Sequence, residues 1–307
     1  MSEKEIYDIV IIGGGPGGMT AGVYGGRAEL KTLILEKSFH GGQMVSTSDI
    51  ENYPALPETN GIQLSNDMLE HAKKFGAKID YKGVDSIEVL EDGTKKLVTG
   101  GEEILTKTVI LSMGSTSRKL GIPNEEKFTG RGVGYCAICD GGFYRNKVVA
   151  VNGGGDTAVE DALYLSRIAS KVYLVHRRDE LRANKTLQTR LFESDVEVVW
   201  NSTIKEIQGD DKLNAIVTVD KTDGSERTIE LDGLFIAIGG IPTSDLVKNL
   251  VDLDPQGYII TNENCETNIP GIFAVGDIRK KSLRQIITAA ADGAIAVHSA
   301  EKYILEH

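Results

Sequence analysis

The stretch Gly13-Gly-Gly-Pro-Gly-Gly18 decides the fold of this chain, because it follows the apolar run Ile9-Val-Ile-Ile12 and precedes a segment of helical pattern. In a strand–turn–helix unit the first glycine allows a tight turn, the second lets backbone N–H groups reach a pyrophosphate, and the third permits close helix packing. Glu36 follows Gly13 by 23 residues and ends the next apolar run, where a carboxylate accepts hydrogen bonds from ribose hydroxyls. The stretch therefore predicts a dinucleotide site at Gly13, Gly15, Pro16, Gly18 and Glu36.

A second glycine-rich turn, Gly153-Gly-Gly-Asp-Thr-Ala158, repeats this spacing later in the chain. The position 23 residues after Gly153 begins the basic segment His176-Arg-Arg-Asp-Glu-Leu-Arg182 instead of offering a carboxylate. A 2′-phosphate needs cationic donors where a 2′-hydroxyl needs an acceptor, so the segment favours NADPH over NADH. The alternative is an ordinary solvated charged loop. The predicted contacts are Gly153, Gly155, Asp156, Thr157, Ala158, His176, Arg177, Arg178 and Arg182.

The third chemical feature is the segment Cys136-Ala-Ile-Cys139-Asp140. Two different nucleotides on one chain suggest a flavin and a nicotinamide cofactor, with a hydride passing between them. The CxxC would then be the electron exit, since dithiols react by thiolate attack on a disulfide sulfur and Asp140 can exchange protons with the thiolates. Half a zinc site or two unreactive buried cysteines are the alternatives. Cys265 and the five histidines supply no ligand spacing, so no metal is expected.

Composition excludes several classes of protein. The 307 residues correspond to about two domains, and 34 Lys and Arg against 45 Asp and Glu give a net charge of −11. Without a basic stripe, nucleic acid is not an expected partner. No apolar stretch approaches the roughly 20 residues of a membrane span, and the charged start Met1-Ser-Glu-Lys-Glu5 leads into a run too short for a signal peptide. We therefore expect a cytoplasmic protein without a membrane anchor.

Short β-branched runs alternate with amphipathic stretches, which predicts an α/β protein with parallel sheets. The runs are Ile9–Ile12, Thr32–Glu36, Val109–Ser112, Val148–Val151, Val172–His176 and Leu234–Ile238. A small-residue helix from about Leu283 to Ile304 needs a close partner, so we assign it to the first domain. The predicted fold is two Rossmann-like dinucleotide-binding domains, the NADPH domain inserted into the FAD domain. Residues 1–116 and 246–307 form the FAD-binding domain, and residues 117–245 form the NADPH-binding domain that carries the CxxC.

The chain resembles the low-molecular-weight thioredoxin reductases over essentially its whole length. The motifs that carry the resemblance are Gly13–Gly18, Gly41-Gly-Gln43, Glu51-Asn-Tyr-Pro54, Cys136–Asp140, Gly153–Ala158, His176–Arg182, Gly276-Asp277 and Arg284-Gln285. The resemblance implies a homodimer that uses FAD and NADPH, with thioredoxin or a thioredoxin-like protein as partner. It implies that Cys139 faces the flavin and that Cys136 exchanges with thioredoxin. By the same likeness the flavin is lined by Gly42, Gln43, Asn52, Gly276, Asp277, Arg284 and Gln285.

The expected activity is therefore thioredoxin-disulfide reduction, with electrons passing from NADPH through FAD and the Cys136/Cys139 dithiol. The CxxC and the NADPH motif share the inserted domain while the flavin belongs to the other, so we expect inter-domain rotation during turnover. One alternative is a flavoprotein reductase of a peroxidase-type or other thioredoxin-like partner. Another is a redox-sensing FAD-binding scaffold without turnover. The CxxC disfavours a ferredoxin–NADP⁺ reductase.

Overall fold

A computed structural model describes residues 6–47 and 50–307. The charged start of the chain, residues 1–5 of the predicted FAD domain, lies outside the described residues. The chain divides into two compact units, Met1–Thr116 with Ile241–His307 and, between them, Ser117–Gly240. Residues 241–245, which the sequence pattern gave to the inserted domain, belong to the first unit in this division, where the Thr243 N–H donates to Gly114 O (3.0 Å).

The regular elements are numbered in chain order. The strands are β1 Ile6–Ile12, β2 Thr32–Leu35, β3 Lys78–Asp80, β4 Ser86–Val89, β5 Lys95–Thr99, β6 Glu102–Leu111, β7 Ser115–Ser117, β8 Val133–Gly134, β9 Val148–Gly153, β10 Lys171–Val175, β11 Glu197–Val199, β12 Ser202–Gly209, β13 Leu213–Asp220, β14 Glu226–Glu230, β15 Gly233–Ala237, β16 Gly240–Pro242 and β17 Ile272–Ala274. The helices are α1 Pro16–Arg27, α2 Gly61–Lys74, α3 Glu125–Phe128, α4 Ala137–Asp140, α5 Asp156–Leu165, α6 Lys185–Phe192 and α7 Ile286–Glu306. Short 3₁₀ turns cover Gly42–Ser46, Gly141–Tyr144, Asp245–Val247 and Gly276–Ile278.

The first unit is built on a sheet with the strand order β3-β2-β1-β6-β5-β4, and β17 also pairs with β6. β1 runs parallel to β2 and β6, while β4 and β5 form an antiparallel extension beside β6. The central strands of such a sheet are covered on both faces, which is why Ile9–Ile12 and Val109–Leu111 are uninterrupted apolar runs. The carboxyl end of β1 therefore delivers the first glycine turn at the sheet edge where dinucleotides bind.

Helices α1 and α7 pack against each other in this unit, and their small residues explain the close approach. A Cβ atom on Gly293 would lie 2.3 Å from Gly17 O, a separation that no side chain allows. The helix predicted from about residue 283 begins at Ile286, because Gln285 and Thr288 form a reciprocal capping box there. The alanine-rich face of α7 thus lies against the helix that starts at the glycine turn.

The second unit contains a parallel sheet with the order β11-β10-β9-β15-β8 and a separate antiparallel sheet, β12-β13-β14. Helix α5 follows β9 directly, and the two are joined by the second glycine turn. The chain enters this unit through β7 and leaves through β16, and these two short strands pair with each other. The fold is therefore α/β with two dinucleotide-binding domains, as the sequence predicts.

Candidate functional site

The first glycine turn is tight on its inner side and open on its outer side. Gly13 has φ +105°, and a Cβ on Gly18 would lie 2.0 Å from Gly13 O, so the turn and the helix packing both require glycine. A Cβ on Gly15 would meet no heavy atom within 4 Å. This open position stands just before Pro16, the first residue of α1, so a phosphate could approach the start of a 12-residue helix.

The Glu36 carboxylate helps to hold this turn. Its Oε2 accepts the N–H of Gly14 at 2.7 Å, and its Oε1 accepts the N–H of Ser38 at 2.9 Å. Carboxylate oxygens have further lone pairs, so these bonds leave Glu36 able to accept from a ribose hydroxyl as well. The structure therefore brings the predicted carboxylate to the glycine turn and gives it a second, supporting role.

The segment Gly41–Gln43 lies against the same turn. The Gly41 N–H donates to Gly14 O (2.7 Å), and a Cβ on Gly42 would lie 3.5 Å from the Cα atom of Gly15. The Gln43 side-chain amide donates to the backbone carbonyl of Ser115. Both predicted flavin contacts, Gly42 and Gln43, are thus near the open face of the turn, and both are exposed.

The later motifs of the first unit converge on this region through α7. Asn52 donates to the Gln285 side-chain oxygen (3.0 Å), which links the Glu51–Pro54 motif to the start of α7. The Arg284 Nε donates to Asp277 O (3.3 Å), and its guanidinium lies 4.0 Å from the centre of the Tyr258 ring. Burial raises the pKa of the Asp277 carboxyl above its ordinary value. Asn52, Arg284, Gln285 and the Gly276-Asp277 turn are therefore connected by direct contacts.

The second glycine turn has the same design. A Cβ on Gly153 would lie 2.4 Å from Ala237 O, whereas a Cβ on Gly155 would meet nothing within 4 Å. Asp156 begins α5, and its Oδ1 accepts the backbone N–H of Asn184 at 2.7 Å. Thr157 is exposed, while Ala158 is fully buried in the core of the unit. The open position before α5 again fits a pyrophosphate, and Ala158 supports the turn from the core.

The His176 side chain packs against the second glycine turn. Its ring is 5% exposed, and its two nitrogens lie 2.9 Å from Gly153 O and 3.0 Å from Glu180 O. Burial lowers the pKa of the imidazole. A Cβ on Gly154 would lie 2.1 Å from this ring, so glycine there makes room for it. Both ring nitrogens face backbone carbonyl groups, so His176 holds the second glycine turn and the basic segment together, and its contact with the cofactor stays a prediction.

The three arginines of the basic segment are all exposed. The Arg182 N–H donates to Gly154 O (2.8 Å), which fixes the end of the segment against the glycine turn. Among the ion pairs of the described residues, none includes Arg177, Arg178 or Arg182. Arg177 and Arg178 lie just after the end of β10, and a guanidinium group suits the recognition of a phosphate.

The redox motif forms a short helical turn in the second unit. Cys136 and Cys139 are joined by a disulfide, with their Cα atoms 5.3 Å apart. The Cys139 N–H donates to the Cys136 sulfur (3.2 Å), and the Asp140 N–H donates to Cys136 O (3.1 Å). Both cysteines are half-buried, while Ile138 between them is 41% exposed. A backbone N–H on the Cys136 sulfur stabilises its thiolate when the disulfide opens.

Asp140 ends this turn in an apolar environment. A Cβ on Gly134 would lie 3.1 Å from Asp140 Oδ2 and 3.3 Å from the Phe235 ring, so the carboxyl lies close to strand β8 and an aromatic side chain. Burial raises the pKa of Asp140 to about 6. A carboxyl with that pKa exchanges protons near neutral pH, which is the property that dithiol chemistry needs.

Sequence reasoning missed the residue immediately before the redox motif. The Tyr135 hydroxyl donates to Glu125 Oε1 (2.8 Å), and burial together with the Glu125 charge raises the pKa of Tyr135 to about 12. Glu125 is 2% exposed and also accepts the N–H groups of Leu120 (3.0 Å) and Gly121 (2.7 Å). The redox turn is therefore tied to the chain that follows the first crossing. The sequence signal for this contact is the tyrosine directly before the CxxC.

The described ranges, residues 6–47 and 50–307, contain no metal-binding cluster. There, no group of three His, Cys, Asp or Glu side chains could hold a metal ion. Cys265 is a free thiol in the core, and burial raises its pKa to about 11. No helix between residues 6 and 47 or between 50 and 307 is long and apolar enough to cross a membrane.

Comparison with known proteins assigns the class. The family model of the pyridine nucleotide-disulphide oxidoreductases matches residues 7–293, so the chain belongs to this family. It is 49% identical to thioredoxin reductase of Bacillus subtilis over 309 residues, which covers 100% of this chain and 97% of the relative. It is 48% identical to thioredoxin reductase of Listeria monocytogenes, with 99% and 96% of the two chains covered.

Solved structures give the same result. Thioredoxin reductase from Streptococcus pyogenes is 45% identical and superposes with a TM-score of 0.92, over 99% of this chain and 100% of that one. The FR conformation of Lactococcus lactis thioredoxin reductase is 46% identical but superposes with a TM-score of 0.68, over 98% and 100%. The predicted resemblance to thioredoxin reductases is confirmed.

Proposed function

We propose that this chain is an NADPH-dependent thioredoxin-disulfide reductase that passes electrons through FAD and the Cys136–Cys139 pair. One observation carries the proposal: a disulfide-bonded CxxC lies in the same unit as a glycine turn flanked by exposed arginines. A second glycine turn with a carboxylate lies in the other unit. Two nucleotides of different chemistry and one reducible disulfide are the components of an electron relay to a protein disulfide.

The residues present fit both cofactors. In the first unit the open position at Gly15 suits a pyrophosphate and Glu36 suits a ribose, as FAD requires. In the second unit the open position at Gly155 is accompanied by Arg177, Arg178 and Arg182, as the 2′-phosphate of NADPH requires. FAD, when bound, accepts a hydride from NADPH and passes its two electrons on.

The thiol chemistry follows from the redox turn. The Cys136–Cys139 bond takes up two electrons and two protons and opens to two thiols. The Cys136 thiolate attacks one sulfur of the substrate disulfide, whose S–S bond breaks. Cys139 then attacks the Cys136 sulfur, which restores the internal disulfide and releases the reduced substrate. Asp140, with a pKa of about 6, gives protons to departing thiolates and takes them from attacking thiols.

Turnover on this scheme requires rotation of the second unit. The redox turn and the NADPH turn both belong to Ser117–Gly240, whereas the flavin motifs belong to the other unit. Both reactive groups need access to one flavin, so we propose rotation about the two chain crossings at residues 116–117 and 240–241. Two relatives of nearly equal identity superpose with TM-scores of 0.92 and 0.68, which supports alternative arrangements in this group of proteins.

We also propose that the enzyme works as a homodimer in the cytoplasm with thioredoxin or a thioredoxin-like protein as its partner. The partner follows from the likeness to thioredoxin reductases. A reducing compartment suits an enzyme whose only other cysteine is a buried free thiol. Light scattering of the purified holoprotein and cell fractionation test these two properties.

The deciding experiment is steady-state NADPH oxidation with oxidised thioredoxin as the sole disulfide. We expect turnover that saturates with thioredoxin and disappears in the Cys136→Ser and Cys139→Ser variants. Turnover only with a peroxidase-linked disulfide protein would favour the alternative reductase. Flavin reduction without turnover on any of these disulfides would favour a redox-sensing scaffold and contradict the proposal.

A further inference from the structure

A buried carboxylate on α7 lies at the centre of an ionic network that the proposed reaction does not use. Asp292 is 7% exposed. Its Oδ1 accepts the Arg279 guanidinium at 2.9 Å, and its Oδ2 accepts the Lys281 ammonium at 2.7 Å and the backbone N–H of Gly276 at 2.9 Å. One carboxylate thus holds three positions within a six-residue segment, 276–281.

The network is almost completely removed from solvent. The side chains of Asp292, Arg279 and Lys281 are 9%, 11% and 13% exposed. Arg279 also donates to the Cys265 sulfur (3.0 Å) and to Asn262 O (3.0 Å). Buried ion pairs contribute little net stability compared with apolar packing, but removal of one partner leaves an uncompensated charge. A role in fixing geometry therefore accounts for this network better than a role in stability.

The geometry that it fixes is the Gly276-Asp277 turn. Gly276 has φ +71°, and a Cβ there would lie 3.4 Å from the Ala289 side chain. The residue after Asp292 is Gly293, which contacts α1 at Gly17 so closely that a Cβ would lie 2.3 Å from its carbonyl oxygen. Asp292 therefore sits where α7 crosses the helix of the first glycine turn, and from there it holds the backbone of the Gly276-Asp277 turn.

We propose that Asp292 is a positioning residue for flavin binding: with Arg279 and Lys281 it fixes the Gly276-Asp277 turn, and it acts on FAD through Asp277. This inference rests on the proposed function, because it takes FAD as the ligand of the first unit. Asp292→Asn leaves one acceptor oxygen for the three donors of Gly276, Arg279 and Lys281, and it leaves the two buried cations without a compensating charge. The turn then loses its fixed position while the glycine turn at Gly13–Gly18 is unchanged.

The test measures FAD release from the holoprotein by the fluorescence of free flavin on serial dilution. We expect Asp292→Asn to raise the apparent Kd for FAD about tenfold, which is 1.4 kcal/mol, and to alter the visible circular dichroism of the bound flavin. Asp245→Asn is the matched control, because the Asp245 side chain is 98% exposed in the same unit. Should Asp292→Asn fail to fold, Lys281→Met keeps the contacts to Arg279 and Gly276, and we expect a smaller weakening of about threefold.

A double-mutant cycle with Asp277→Ala tests the route of the effect. If Asp292 acts through Asp277, Asp292→Asn changes the Kd less than about twofold in the Asp277→Ala background. Full additivity of the two effects would overturn the inference. A second result would also overturn the inference: an Asp292→Asn protein that has a lower melting temperature but wild-type FAD affinity and dichroism. The same result for Lys281→Met would do so if Asp292→Asn does not fold, because a merely structural role lowers stability alone. A wild-type protein that binds no FAD at all would refute the proposed function itself.

Discussion

Replacing Asp140 by asparagine should make the protein more stable at neutral pH while impairing its chemistry. The wild-type carboxyl lies near strand β8 and the Phe235 ring, and burial raises its pKa from 3.8 to about 6. An ionised carboxylate is therefore unfavourable in the folded protein. Asparagine has nearly the same shape and no charge, so it removes this cost and also removes the exchangeable proton.

The magnitude follows from the linkage between proton binding and folding. A shift of about two pKa units corresponds to about 3 kcal/mol at 1.36 kcal/mol per unit. Between pH 3.8 and pH 6 the unfolded chain has lost the Asp140 proton while the folded protein keeps it. The contribution of Asp140 to the wild-type free energy of unfolding thus falls as pH rises through this window and is level above it. The Asp140→Asn protein should equal wild type near pH 4 and exceed it by up to about 3 kcal/mol at pH 7.

Urea unfolding of both holoproteins at several pH values between 4 and 8 measures this difference. Asp161→Asn is the matched comparison, because burial and the nearby Glu160 charge raise the pKa of Asp161 to about 7, and Asp161 belongs to α5 and not to the Cys136–Asp140 turn. It should show a larger stabilisation, up to about 4 kcal/mol, over a window that extends to pH 7. Only Asp140→Asn should also slow turnover and remove a pH dependence with a midpoint near 6. A stability difference that is independent of pH, or a less stable Asp140→Asn protein at pH 7, would refute the reasoning.

Three further outcomes are expected. Replacing Arg177 and Arg178 by alanine should weaken the preference for NADPH over NADH about a hundredfold, since each charged contact contributes about 1.5–3 kcal/mol. The kcat/KM values for NADPH and NADH measure this preference, and an unchanged ratio contradicts the prediction. Cys139→Ser should trap a mixed disulfide with a thioredoxin that lacks its resolving cysteine, whereas Cys136→Ser should instead show a long-wavelength charge-transfer band with FAD; equal behaviour of the two contradicts the assigned roles. Tyr135→Phe removes the hydrogen bond from the Tyr135 hydroxyl to buried Glu125 and should slow the reaction with thioredoxin several-fold. The rate of flavin reduction by NADPH, measured by stopped flow, should stay unchanged, and a slower rate of this step contradicts the prediction.

The local chemistry of the two nucleotide turns could be predicted from the sequence because it is set by residues close together in the chain. Gly13 is needed because the chain turns there with a positive φ, and the position of Gly15 is open to a ligand. Both features follow from the adjacent strand and helix. The runs that became β1, β2 and β9 are apolar because both faces of a parallel sheet are covered. Strands β4 and β14 were missed because they are short and largely exposed, and β12 because its apolar residues alternate with polar ones. Strand β13 was missed although it contains the buried apolar run Ala215–Val217.

Contacts between distant segments could not be predicted. His176 looked like part of a basic cofactor segment, and only the fold shows that its ring is covered and faces two backbone carbonyls. The bond from Tyr135 to Glu125 depends on how helix α3 returns to the redox turn. Asp292 meets Arg279 because α7 folds back over the Gly276-Asp277 turn. Each contact is set by packing, and a charged residue in a sequence does not reveal whether it is buried or which partner it finds.

The central claim is that electrons from NADPH reach the Cys136–Cys139 disulfide through FAD. It is tested most directly by native thiol labelling with a maleimide under anaerobic conditions, read by intact-protein mass. Before NADPH is added the protein should take up no label, because the two cysteines are disulfide-bonded and Cys265 is buried. After NADPH it should take up two labels, at Cys136 and Cys139, and FAD-depleted protein should take up none. A flavin that NADPH reduces while both cysteines stay unlabelled would contradict the account.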